Sequence, residues 1–184
     1  FILVHPGTVV RDSARYLLGE TYYKLEQYIL AASEFERLVT ELPNSRIADD
    51  ASYQRAMCYY RMSPGYQRDQ ENTLKAILYF QRLLEDYPNT EYLEDVNTKM
   101  KELRSKLGRK RYETGRLYQK MGDYQAAAIT YSQVLKEYFD SQWAPAALRG
   151  KGECHMELKQ YSEAKESFES FLSRYPQHPD AAIV

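Results

Sequence analysis

The sequence predicts an all-α fold built from antiparallel helical hairpins that repeat along the chain. Four markers recur in register, each in four copies. The first marker is a small residue, found at Gly19, Ala56, Gly115 and Gly152. The second is a packing alanine, found at Ala31, Ala76, Ala127 and Ala164. The third is an aromatic residue, found at Phe35, Phe80, Tyr131 and Phe168. The fourth marker ends each hairpin and is found at Pro43, Pro88, Phe139 and Pro176.

The last copy shows why these markers specify a hairpin. Gly152 lies in a helix-like segment where a second helix must approach closely, and a polar turn follows at Lys159. The second helix then places apolar residues at the i, i+4, i+7 and i+8 spacing of one helical face. Pro176 stops this helix because proline has no N–H for the helical ladder. Undisturbed copies lie 37 residues apart, against about 34 in a tetratricopeptide repeat, whose order of markers they follow. The predicted fold class is a tetratricopeptide-repeat solenoid.

We expect one array over residues 1–184, because each hairpin buries its apolar face only against its neighbours. The markers predict the end of a truncated repeat at 1–12, and then repeats at 13–48, 49–90, 91–141 and 142–184. The last of these includes the start of a C-terminal cap. Pro6 lies 37 residues before Pro43, so we expect Phe1 to Val4 to be helical and packed on the first whole hairpin. The sequence does not begin with Met, and we expect it to be part of a longer chain.

Two insertions interrupt the period. From Ala56 to Ala76 is 20 residues against 12 in the first hairpin, so eight residues are added, and we expect a loop at 63–73. From Pro88 to Gly115 is 27 residues against 13 elsewhere, which adds 14. Apolar residues keep helical spacing through this second addition, which predicts a first helix longer by about four turns. One face of that helix is basic, and it is either a solvated face or a docking surface for an acidic partner. Its residues are Lys99, Lys101, Arg104, Lys106, Arg109, Lys110 and Arg111.

Composition excludes several classes of function. A net charge of −1 argues against bulk nucleic-acid binding, which needs a basic footprint. No run of about 18 apolar residues occurs, so no membrane span is predicted. Cys58 and Cys154 fall in equivalent positions of repeats that are not neighbours, and we expect free, buried thiols. No catalytic, metal-ligating or phosphate-binding pattern stands out, so we expect no enzyme activity, no metal and no cofactor.

The first helix of each hairpin lines the concave groove of a tetratricopeptide array. In the first two whole hairpins the groove positions are aromatic with basic ends, which suits an extended peptide with apolar side chains and a carboxylate. Tyrosine is also a common filler between repeats, and for Tyr53 both interpretations stay open. The predicted peptide-binding groove consists of Tyr16, Tyr23, Lys24, Tyr53, Met57, Tyr60 and Arg61.

The 37-residue period, the Pro-Asn-(Ser/Thr) turns, the Arg-Asp-Gln-x-x-Thr-x-x-Ala insertion from Arg68 to Ala76 and one overlong helix form a specific combination. It resembles the BamD family, the tetratricopeptide lipoproteins of the outer-membrane β-barrel assembly (BAM) machinery. The resemblance covers essentially the whole chain. It departs from the family pattern at Phe139, where a proline is expected.

The resemblance implies a non-enzymatic scaffold on the periplasmic side of the outer membrane, held there by a lipid anchor absent from this chain. Its implied partners are BamA, other BAM subunits and C-terminal segments of unfolded outer-membrane proteins, without nucleic acid. Our candidates for docking partners are Arg68, Asp69, Gln70, Arg104, Trp143 and Arg149. The alternative is an adaptor of another cell-envelope complex, similar to CpoB, in cell division or polysaccharide assembly.

Overall fold

The structure is a computed structural model that describes residues 11–182. Within these residues the chain forms eight α-helices, one 3₁₀-helix and no strand, so the all-α prediction is confirmed. The helices are α1 (Arg11–Lys24), α2 (Tyr28–Glu41), α3 (Ala48–Met62), α4 (Glu71–Asp86), α5 (Leu93–Lys120), α6 (Tyr124–Glu137), α7 (Ala144–Glu157) and α8 (Tyr161–Arg174), followed by the 3₁₀-helix Pro179–Ala182. In this described part, no helix is both long and apolar enough to cross a membrane. The helix expected at Phe1 to Val4 lies outside the described residues.

Consecutive helices pack as the repeat pattern requires. In the first unit, which ends at Met100, α1 packs on α2, α2 on α3 and α3 on α4. In the second unit, which begins at Lys101, α6 packs on α7 and α7 on α8. The long helix α5 has 28 residues, twice the 14 of α1, and it contributes to both units.

Each ordinary hairpin turns through one residue with a left-handed backbone. The φ angles are 58° at Glu26, 82° at Gly122 and 60° at Lys159, and each residue lies seven positions after the small marker. Only glycine adopts this conformation without a steric cost, so Glu26 and Lys159 carry backbone strain. The turn geometry is therefore set by the register of the hairpin and not by the residue type.

Where the small marker is glycine, it approaches the aromatic marker of the same hairpin closely. A Cβ atom added to Gly19 would lie 2.7 Å from Phe35 Cε1, and one added to Gly152 would lie 2.5 Å from Phe168 Cε1. Phe35 is 0% exposed, as is Phe80, and Tyr131 is 1% exposed. Phe168 is only half-buried, because only the 3₁₀-helix follows α8 among the described residues.

The predicted loop at 63–73 is shorter in the structure. Helix α4 begins at Glu71, so the last three residues of the predicted loop are helical and the loop spans 63–70. Gln70 holds this loop from inside. Its Nε2 donates to the carbonyl oxygens of Gly65 (2.8 Å) and Arg68 (3.0 Å), and its Oε1 accepts from Thr73 Oγ1 (2.8 Å).

The third hairpin ends without proline, and a side chain of α5, Arg104, binds the end of its second helix instead. Phe139 is exposed at the position where the other hairpins have proline. Arg104 Nη2 donates to the carbonyl of Glu137 (2.8 Å), the last residue of α6, and the guanidinium also binds both carboxylate oxygens of Asp140. Asp140 and Ser141 do not cap α7. Trp143 is the N-cap residue, and Pro145 lies in the first turn.

Candidate peptide-binding surface

Two tyrosine–cation contacts define the candidate surface in the first unit. On α1 and α3, Arg61 Nε donates to Tyr23 Oη (3.0 Å), which joins the ends of the two helices. The ring of Tyr23 packs edge-on against Tyr28, with centroids 5.2 Å apart. Arg61 and Lys24, which follows Tyr23 directly, are both exposed.

The second contact involves a residue that the groove prediction missed. Lys99 Nζ lies 5.5 Å from the centroid of the Tyr60 ring, within the range of a cation–π contact. The same Nζ donates to Asp95 Oδ1 (2.6 Å), one helical turn earlier in α5. The sequence assigns Lys99 to the basic face of the long helix, and the i, i+4 spacing from Asp95 is the only local signal of this arrangement.

Tyr53 is a brace between α3 and the start of α5. Its ring stacks on Tyr92 with centroids 4.0 Å apart and planes 12° from parallel. Each tyrosine donates a hydrogen bond to an aspartate near the other tyrosine in sequence: Tyr53 to Asp95 Oδ2 (2.6 Å) and Tyr92 to Asp50 Oδ1 (2.5 Å). A signal existed in the sequence, since Asp50 precedes Tyr53 by three residues and Tyr92 precedes Asp95 by three.

The electrostatics of this brace keep its hydroxyls protonated. Burial and then the hydrogen bond to Asp95 raise the pKa of Tyr53, and burial and Asp50 raise the pKa of Tyr92. Burial opposes ionisation of Asp95, but the hydrogen bonds from Lys99 and Tyr53 outweigh it and lower the pKa of Asp95. The Tyr53 hydroxyl is thus already used as a hydrogen-bond donor inside the chain. Of the two interpretations of Tyr53, the geometry favours a filler between repeats over a groove residue.

Two other predicted groove residues are less accessible or already in contact with the core. Met57 is 8% exposed, so its assignment to an accessible groove is wrong. Tyr16 is half-buried and packs edge-on against Phe35 with centroids 5.5 Å apart, and burial raises the pKa of its hydroxyl. The remaining set consists of the exposed Lys24 and Arg61 and the partly exposed Tyr23, Tyr60 and Lys99, which we name the tyrosine–cation surface.

The candidate docking residues of the inserted loop differ in exposure. Arg68 and Asp69 are exposed, and Asp69 Oδ1 accepts the backbone N–H of Glu71 at the start of α4. Gln70 is 7% exposed and serves the loop interior, so its assignment to a docking surface is wrong.

The candidates of the second unit are held by internal contacts. Arg104 binds Asp140, and Arg149 pairs with Glu153 (3.6 Å) and Asp180 (3.4 Å). The ring of Trp143 stacks on Tyr112, with centroids 5.4 Å apart, and Arg109 lies over the indole. One residue of the basic face of α5 also forms an ion pair within the chain, since Arg111 lies 3.9 Å from a carboxylate oxygen of Glu137.

Both cysteines are free and buried. Burial raises the pKa of Cys58 to about 12 and that of Cys154 to about 11. In residues 11–182 no group of three or more His, Cys, Asp or Glu side chains is placed to hold a metal ion.

Comparison with known sequences identifies the family. The sequence profile of the family described as outer membrane lipoprotein (YfiO) matches residues 2–160. The chain belongs to this family. A tetratricopeptide-repeat profile also matches residues 146–178, in agreement with the helical repeats.

Curated relatives of the chain carry the name that the resemblance predicted. An outer membrane protein assembly factor BamD from Caulobacter vibrioides is 28% identical over 161 residues, which are 88% of this chain and 53% of the relative. The BamD of Rickettsia prowazekii is 25% identical over 172 residues, 94% of this chain and 68% of the relative. The resemblance to the BamD family is confirmed, and the chain spans only about half to just over two thirds of these relatives' length.

Solved structures add only a general likeness. The tetratricopeptide-repeat protein TTC0263 of Thermus thermophilus is 18% identical, with 94% of this chain and 95% of that chain covered and a TM-score of 0.37. This score is too low to support any argument about function.

Proposed function

We propose that this chain is a non-enzymatic scaffold of the BAM complex. In this proposal it works on the periplasmic side of the outer membrane, anchored by lipid, and binds BamA and C-terminal segments of unfolded outer-membrane proteins. Membership of the outer membrane lipoprotein family and the BamD relatives support the assignment to this complex. The observation that supports client binding is the tyrosine–cation surface of the first unit.

The chemistry of this surface suits the end of a β-barrel protein. Such a client chain ends in an aromatic residue that bears the free carboxylate, as the family resemblance implies. Tyr23 and Tyr60 offer ring surface to the aromatic side chain, and the exposed Arg61 and Lys24 offer positive charge to the carboxylate, while Lys99 is already paired with Asp95. A partly exposed ion pair contributes only about 0–1 kcal/mol. An aromatic pair contributes about 0.5–1.5 kcal/mol beyond its area burial, so aromatic contact should dominate the affinity.

Fluorescence anisotropy with a labelled C-terminal barrel peptide tests this proposal. Tyr60→Ala should weaken binding more than Arg61→Ala, and the peptide amide should bind slightly more weakly than the free acid. Tyr161→Ala removes an exposed tyrosine ring of α8 that is not part of this surface, and it is the control, with unchanged affinity. If neither Tyr23→Ala nor Tyr60→Ala changes the affinity, clients bind elsewhere.

Pull-down from detergent-solubilised outer membrane tests the complex itself. Recovery of BamA supports the proposal. Recovery of a cell-division complex without BamA contradicts it and supports an adaptor of the CpoB kind.

A further inference from the structure

An open cleft lies between α6 and α8 in the second unit, and α7 forms its floor. The cleft has a volume of about 440 Å³, within the range of about 300–1,000 Å³ that is usual for ligand pockets. Lys151 and His155 lie on the floor, and Ile129, which is 53% exposed, lies on the α6 wall. We name it the α6–α8 cleft.

The repeat register gives this cleft a counterpart in the first unit. Lys151 directly precedes the small marker Gly152, as Arg55 precedes Ala56. By the same register His155 corresponds to Tyr59, three residues after the small marker. Ser167, which precedes the aromatic marker of its hairpin, corresponds to Tyr79. The counterpart therefore consists of Arg55, Tyr59 and Tyr79.

In the first unit an aromatic ring fills this place. The ring of Tyr79 stacks on Tyr59, with centroids 4.9 Å apart and planes 28° from parallel. The guanidinium carbon of Arg55 lies 4.4 Å above the centroid of the Tyr79 ring, and Arg55 is only 5% exposed. No ion pair joins Arg55 to another described residue. Burial lowers the pKa of Arg55, and the charge of Glu36 and the Tyr79 ring oppose this effect, so the ring is one of the contacts that stabilise the buried charge.

In the second unit the ring is missing while the rest of the arrangement is kept. Ser167, at the position equivalent to Tyr79, is 4% exposed, and its hydroxyl donates to the carbonyl of Glu163 (2.8 Å). The second unit therefore has only a small side chain where the first unit has the Tyr79 ring. His155 Nδ1 lies 2.7 Å from Gln160 Oε1, which fixes the imidazole ring. Lys151 makes no ion pair with any residue that the structure describes. By repeat register, Lys151 and His155 in the cleft thus correspond to the cation and the ring that contact Tyr79 in the first unit.

The walls of the α6–α8 cleft carry opposite charges. Lys136 lies on the α6 wall, and Glu163 and Glu166 lie on the α8 wall. Within residues 11–182 none of these three side chains forms an ion pair. All three are exposed, so a segment with an acidic residue towards α6 and a basic residue towards α8 would complement the charges of the cleft.

We propose that the α6–α8 cleft binds an aromatic side chain, tyrosine or phenylalanine, presented by a partner protein. The ring stacks on His155 beneath Lys151, as Tyr79 stacks on Tyr59 beneath Arg55. An acidic residue of the same segment lies against Lys136, and a basic residue lies against Glu163 and Glu166. This site does not depend on the peptide-binding surface of the first unit or on the function proposed for it.

An NMR titration of the whole chain with N-acetyl-tyrosinamide tests the proposal. Chemical shifts should move at Ile129, Lys151 and His155, and N-acetyl-alaninamide should leave them unchanged. Lys151→Ala should weaken binding by about threefold, the effect of losing one exposed cation–π contact. Lys165→Ala removes an exposed lysine of α8 outside the cleft and should leave the affinity unchanged.

Two exchanges between the units make the test specific. Ser167→Tyr restores the ring of the first unit and should abolish binding at the cleft. Tyr79→Ser empties the counterpart and should create a second site, with shifts at Arg55 and Tyr59. This second exchange keeps the proposal testable if Ser167→Tyr does not fold.

Three results would overturn the proposal. The first is that the shifts spread over the surface or also appear with the alanine probe. The second is that Lys151→Ala has no effect while Tyr79→Ser creates no second site. The third is that the cleft resonances shift with protein concentration in the absence of any probe, since a second copy of the chain would then be the occupant.

Discussion

Tyr131 is held between two glycines, and this arrangement makes a sharp prediction for Gly115→Ala. A Cβ atom on Gly115 would lie 2.7 Å from Tyr131 Cε1, and one on Gly150 would lie 2.8 Å from Cε2 on the opposite side of the ring. The Tyr131 hydroxyl also donates to Gln119 Oε1 (2.8 Å), and the residue is 1% exposed. The ring therefore has no direction in which it can move away from a new methyl group.

Two opposing effects decide the magnitude. Overpacking of a filled core costs about 1–3 kcal/mol. Replacing glycine by alanine in a helix interior contributes about 1 kcal/mol of stability. Gly115→Ala should therefore lower the free energy of unfolding by about 0–2 kcal/mol in the wild-type background. In the Tyr131→Leu background the ring is absent, and the same change should raise the free energy of unfolding by about 1 kcal/mol.

A double-mutant cycle measured by urea denaturation checks this reasoning. The coupling between the two positions should be about 1–3 kcal/mol, the size of the removed steric cost. Gly152→Ala is the matched control, because its neighbour Phe168 is half-buried and can move aside, so its destabilisation should be smaller. If Gly115→Ala had the same effect in both backgrounds, the close packing of Tyr131 between Gly115 and Gly150 would not be the cause of the destabilisation.

Three further predictions concern the thiols, the loop and the Arg104 contact. Since a thiol with a pKa of about 12 is about one ten-thousandth thiolate at pH 8, Cys58 and the similarly buried Cys154 should react with iodoacetamide only after unfolding; fast alkylation of the native protein would contradict their burial. Gln70→Ala should remove the internal hydrogen bonds of loop 63–70 and speed amide hydrogen exchange there, whereas the exposed Gln67→Ala should not; equal effects of the two variants would contradict the assignment. Because Arg104 lowers the pKa of Asp140, the ion pair stabilises the fold above the ordinary carboxyl pKa of 3.8 and is lost as the pH falls through the lowered value. Asp140→Asn should thus cost up to about 1 kcal/mol at pH 7 and progressively less below pH 4 in thermal unfolding, and a difference independent of pH would contradict it.

The sequence determined the helices and their pairing. The four markers and their spacing are local, so they predict which residues face the neighbouring helix without any knowledge of distant contacts. The burial of Phe35, Phe80 and Tyr131 and the close approach at Gly19 follow from that register. Among the four aromatic markers only Phe168 is not fully buried, because the burial of this marker also depends on helices that pack against the outer side of its hairpin.

The tertiary structure decided which of the predicted surface residues are accessible. Tyr53 is 42 residues from Asp95 in sequence, and Arg104 is 36 residues from Asp140. Spacing within one helix cannot show that a hydroxyl or a guanidinium is already committed to a partner in another helix. For the same reason Met57 and Gln70 were predicted to be accessible, although one lies in the core and the other inside a loop. Period and composition specify which face a side chain occupies, whereas its free hydrogen-bonding capacity depends on contacts that form only when distant helices pack together.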